Sequence, residues 1–143
     1  MSSKYDDAGW HTSENFPDDL STERATTHIG MFLGWIVDRG FEGEILKERC
    51  ADDVALFRTR KLTGAELLRA CCDDQLAGDW LDEIGEAFAD EYYASSDYLH
   101  DYDDVLGAEL PTLFHVEDSW DNYQKIKQRI DMRFDEWVAH VLD

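Results

Sequence analysis

Residues Ala25–Val37 read ATTHIGMFLGWIV, a run with no formally charged side chain (His28 taken as neutral) in a chain that is 32% charged. Ala25, His28, Ile29, Phe32 and Ile36 follow the spacing of one helical face, and Met31, Leu33, Trp35 and Val37 fill most of the remaining circumference. A helix apolar nearly all round is a buried one, so the run predicts a central helix over about 22–39. Ser21 is placed to cap its start and Gly40 to stop it. Gly30 and Gly34 lie one turn apart. Each costs about 1 kcal/mol of helix propensity relative to Ala, which close packing of a neighbouring helix must offset. A membrane span needs about 20 apolar residues, and this run stops at Asp38-Arg39.

Helical spacing continues outward from the run. Residues 42–60 form a helix with a break near Cys50-Ala51-Asp52-Asp53, and Ile45, Leu46, Val54, Leu56 and Phe57 are its inward positions. Thr63-Gly-Ala-Glu66 matches a capping box that opens a helix ending near Asp73-Asp74. Asp79–Ala94 predicts a further helix, buried through Trp80, Ile84, Ala87, Phe88 and Tyr92. Asp118 or Ser119 caps a long last helix whose apolar face runs from Trp120 to Val141. No useful length alternates at period two. The fold class expected is therefore all-α, one domain over 1–143, with five to seven helices packed around the central one. Residues 1–20 are expected to be irregular and anchored by Tyr5, Trp10 and Phe16.

The chain has 143 residues and a net charge of −20, from 33 acids and 13 bases. Such a field repels nucleic acid and anionic membranes and steers basic surfaces inward. Three cysteines, two of them adjacent, form no disulfide framework, and together with an N-terminus lacking the secretion-signal pattern they point to the cytoplasm. The sequence contains no HExxH, no paired Glu-xx-His, no GxSxG, no glycine-rich phosphate loop and no basic patch. The expectation is a non-enzymatic protein with no cofactor and no metal.

What remains is recognition. Residues 90–104, DEYYASSDYLHDYDD, mix acids with tyrosines. Tyr gives rigid contact area, and carboxylates pair with Arg and Lys of a partner. The stretch reads either as a protein-binding epitope or as a solvated acidic helix with its tyrosines in the core. On the first reading Asp97, Tyr98, Asp101, Tyr102, Asp103 and Asp104 contact a basic protein partner, with Trp80 as a further anchor. The alternative is a metal- or small-ligand-binding protein or enzyme built on Asp6, Asp7, His11 and His28, residues that could equally pin the N-terminal segment down.

The residues Lys4-Tyr5-Asp6-Asp7-Ala8, Trp10-His11, Phe16-Pro17, Thr27–Trp35, Thr63-Gly64 and Asp118–Tyr123 together resemble a family of small acidic bacterial proteins of unknown function. The resemblance carries no established activity and no catalytic residues. Small acidic proteins of this type often serve as immunity partners of secreted bacterial toxins, so it implies a toxin-neutralising role.

Overall fold

The buried run forms helix α2, Thr27–Asp38, preceded by a 3-10 turn over Thr22–Thr26 that Ser21 caps through the Glu23 amide. Every residue of α2 from Thr27 to Val37 is buried. At its end Gly40 adopts φ +76°, Phe41 N–H returns to Ile36 O (2.8 Å) and Gly40 N–H to Val37 O (3.0 Å). That pair of bonds is a Schellman stop, and its left-handed residue is a glycine, which carries no Cβ penalty there. The computed structural model describes residues 4–12 and 16–142.

Around α2 lie seven further α-helices among the described residues: α1 (Ala8–His11), α3 (Glu44–Arg49), α4 (Ala51–Arg58), α5 (Gly64–Cys71), α6 (Glu83–Tyr92), α7 (Asp97–Tyr102) and α8 (Trp120–Leu142). The helix expected over 42–60 does break at Cys50, giving α3 and α4. A π-helical turn, Asp103–Gly107, continues α7. The core joins Phe32, Trp35, Phe88, Tyr98 and Phe134, and Trp35 lies 5.3 Å from Phe88 and 5.5 Å from Phe134 between ring centroids.

Helix α5 crosses α2 at its glycines. A methyl built on Gly30 would fall on the Ala65 backbone and within 2.6 Å of the Gly64 carbonyl carbon, so the two backbones touch with no side chain between them. Gly34 faces the ring of Phe57, to which a methyl would stand at 2.8 Å. The capping box forms as expected: Glu66 N–H donates to Thr63 Oγ1 (3.2 Å) and Thr63 N–H to Glu66 Oε1 (3.0 Å). Thr63 Oγ1–H also donates to Asp118 Oδ2 at 2.6 Å, tying α5 to the approach of α8. Thr63→Ala should therefore lower stability by about 2 kcal/mol, at the upper end for a lost cap. A urea unfolding curve shifted by less than about 0.5 kcal/mol would show the cap to be idle.

Several expectations change. Residues 4–7 are not irregular: they form strand β1, Lys4–Asp7, antiparallel to β2, Gln75–Ala77. Trp10 is exposed rather than inserted, with the Lys4 ammonium 5.2 Å from its ring centroid, whereas Phe16 packs on Phe114 at 5.0 Å. The helix expected from Asp79 starts at Glu83, because Asp82 caps it through the Gly85 amide (2.8 Å). Ile84 and Leu56, expected inside, face outward. Ser119, not Asp118, caps α8, its Oγ accepting from Asn122 N–H at 3.1 Å.

Candidate functional site

Strand β1 and helix α1 bring Asp6 and His11 over the side of α2 that carries His28. Asp6 sits at the centre. Its Oδ1 accepts from His11 Nε2 (2.6 Å) and from the Asp7 amide (2.8 Å). Its Oδ2 accepts from His28 Nε2 (3.2 Å) and from the Tyr93 hydroxyl. Asp6, His28 and Tyr93 are buried, and the His11 side chain is 23% exposed. Phe114 packs against both imidazoles, at 5.6 Å from His11 and 5.9 Å from His28, and the two imidazoles meet edge-on at 4.9 Å. Tyr98 donates to the His28 carbonyl at 2.5 Å, fixing that turn of α2.

Burial by itself would raise the Asp6 pKa. The hydrogen bonds from His11, His28 and the Tyr93 hydroxyl outweigh it, and the carboxyl is held well below the usual carboxylate range. Burial pushes His28 below its ordinary 6.5, against the pull of Asp6, so the ring is neutral at pH 7. Burial, then the charge of Asp6, pushes the Tyr93 phenol well above its usual value. An ionised carboxylate only accepts, so the hydrogen of neutral His28 sits on Nε2. His28 Nδ1 is then a bare, buried lone pair with no partner among the described residues.

Asp7 does not join the cluster. Its side chain caps α1 through the Gly9 amide (2.8 Å) and pairs with Lys4 Nζ (2.7 Å). Tyr93 was not expected there. The signal was present in the burial spacing of Phe88, Ala89, Tyr92 and Tyr93, which gives α6 two inward flanks.

The residues expected to contact a partner divide. Tyr98 and Tyr102 are fully buried in the core, and Asp101 is 5% exposed. Asp101 takes Arg129 Nη1 (2.8 Å), Arg133 Nε (2.9 Å) and the Tyr92 hydroxyl (2.6 Å), and so links α7 to α8. These three residues hold the fold and present nothing to a partner. Trp80 is half-buried, its Nε1–H bonded to Gln75 O (3.0 Å). Asp97, Asp103 and Asp104 are exposed, and Asp104 pairs with Arg129 at 3.0 Å.

Much of the chain's positive charge is held internally. Arg39, Arg58, Arg60, Arg129 and Arg133 each pair with a carboxylate. Arg24 donates to the Phe114 and His115 carbonyls, and Arg69 to Thr26 Oγ1. Between α6 and α8 runs a groove of about 230 Å³ lined by Ile84, Phe134, Trp137, Val138 and Val141. Trp137 also borders a second hollow of about 240 Å³, edged by Glu91, Asp97, Glu136 and His140.

A mainly helical domain with a small two-stranded sheet and a His–Asp–His cluster under its first strand is the class of protein these features define. The chain belongs to the family described as a domain of unknown function (DUF7832), whose profile matches residues 4–116. The match takes in β1, the cluster and α2, and stops before α8. No curated protein and no solved structure matches the chain. None of its described helices is long and apolar enough to cross a membrane.

Proposed function

We propose that the protein is a non-enzymatic binding module that receives a basic, amphipathic segment of another protein in the groove between α6 and α8. The observation that carries this reading is an apolar groove set in an acidic surface. Ile84 and Val141 are 48% and 56% exposed there, and Glu91, Asp97 and Glu136 line the adjoining hollow. Exposed apolar surface rimmed by polar residues marks an interaction site. A helix laid in such a groove anchors through its apolar face, while the acids engage Lys and Arg on its flanks. The net charge of −20 supplies fast, salt-sensitive encounter. In its finer form the reading is an immunity protein that neutralises a cytoplasmic toxin by covering its functional surface, with Asp97 retained from the expected contact set.

The test is affinity capture of a single basic partner from native cells, followed by measured association with wild type and with Ile84→Glu. Ile84 is exposed, so the substitution should leave the fold intact. It is expected to weaken binding by at least tenfold, and raising salt from 50 to 500 mM should slow association by about tenfold or more. A partner held equally by Ile84→Glu, or an on-rate indifferent to salt, would sink the proposal.

A further inference from the structure

We propose that Asp6, His11 and His28 hold a divalent first-row transition metal ion, zinc being the one their donor set suits best. This inference is independent of the groove. One potential ligand atom from each residue lies within 4.8 Å of the others. Two imidazole nitrogens and one carboxylate oxygen are the donors of three-ligand zinc sites and of facial-triad iron sites. Calcium and magnesium favour all-oxygen sets, which two imidazoles do not supply.

The surroundings are built as a metal site's would be. A ligating carboxylate is held by hydrogen bonds of its own, and Asp6 has the Asp7 amide and the Tyr93 hydroxyl. His28 is fixed in the core by α2 and by the Tyr98 bond to its carbonyl. His11 comes from a one-turn helix and is the partly exposed ligand, so it marks the side of entry. Phe114 covers both rings and lowers the local dielectric.

Two imidazoles and a phenol converge on this one carboxylate, Asp6. An ion bound at the two Nε2 atoms would take the place of the hydrogens they now direct at Asp6.

The experiment uses the whole chain, stripped with chelator and titrated with zinc chloride in 5 mM calcium chloride, so that the acidic surface is already occupied. One zinc equivalent is expected to bind. His11→Ala should weaken it by about 100-fold or more, beyond the loss typical of an outer-shell change. His100→Ala, at an exposed position outside the cluster, should bind as wild type. Cobalt substituted for zinc should give visible absorption that is absent in His11→Ala. Imidazole nitrogen NMR of wild type provides a readout that needs no variant. Zinc should shift the His11 and His28 resonances and leave those of His100, His115 and His140 in place. Zinc displaced by calcium, equal binding by folded His11→Ala, or unshifted His11 and His28 resonances would each overturn the assignment.

Discussion

Gly30→Ala should destabilise the protein by about 3 kcal/mol or more, at or above the upper end for added core volume. In an exposed helix the same change would stabilise by about 1 kcal/mol, because Ala is the better helix former. Here the methyl would land on the backbone of Ala65 and 2.6 Å from the Gly64 carbonyl carbon. Backbone cannot swing aside as a side-chain tip can, so α2 and α5 must move apart. That separation would loosen Leu67 and Leu68, both fully buried. Gly64→Ala meets the same contact from the other side, its methyl 2.8 Å from the Gly30 carbonyl carbon, and should cost about as much. Gly40→Ala is the control. Nothing lies within 4 Å of its missing methyl, and only its left-handed backbone resists, at a cost of about 1 to 2 kcal/mol. Urea unfolding should rank Gly30→Ala and Gly64→Ala well below Gly40→Ala, with a melting temperature about 10 °C under wild type for the first two. A Gly30→Ala protein within 1 kcal/mol of wild type would mean that the helices do not touch as described.

That crossing was half legible in the sequence. Two glycines one turn apart in an uncharged helix can only be explained by close approach, and the charge-free run identified α2 as the centre. Which element approached was not legible, because Thr63-Gly64 also satisfies a capping box and nothing local distinguishes a capping glycine from a contact glycine. The β1–β2 pair escaped for another reason. Strands of four and three residues, some seventy positions apart, carry too little alternation to register.

Tyr98 and Tyr102 show how composition misleads where spacing would not. Among acids they suggest an exposed epitope, yet Tyr98, Asp101, Tyr102 and Val105 stand at i, i+3, i+4 and i+7, one inward helical face. Asp101 belongs to that face because Arg129 and Arg133, four residues apart on α8, neutralise it. The pairing crosses about thirty residues of sequence, so no local reading supplies it. The Asp6, His11 and His28 constellation was visible as residue types, but its centre was not. Asp7 looks as apt as Asp6 until the strand turns the two to opposite faces, Asp6 inward, and a register shift between Lys4 and Asp6 brings Lys4 to the side of Asp7.

Asp6→Asn tests that centre in the metal-free protein. Removing one partner from a buried, hydrogen-bonded charge network costs about 3 to 5 kcal/mol, because the groups left behind stay desolvated. At Asp6 those groups are His28, Tyr93 and the Asp7 amide, and an amide side chain cannot accept from all of them. The loss should be full at pH 7. It should then shrink with acid, and the sign follows from linkage. Asp6 is held below its ordinary 3.8 in the folded protein, so below about pH 4 the unfolded chain takes up a proton that the folded chain refuses. Wild-type stability falls there and that of Asp6→Asn does not share the fall. His28, held below 6.5, adds a loss that begins near pH 6.5. Relief of the −20 charge on acidification acts on both proteins alike, which is why the difference between them, not either curve alone, carries the result. Urea unfolding of both at pH 7, 5, 4 and 3 should show a gap that is widest near neutral pH and narrows by about 1 kcal/mol on going from pH 5 to pH 3. A gap that is absent at pH 7, or that widens in acid, would show that Asp6 is not the charged centre of the cluster.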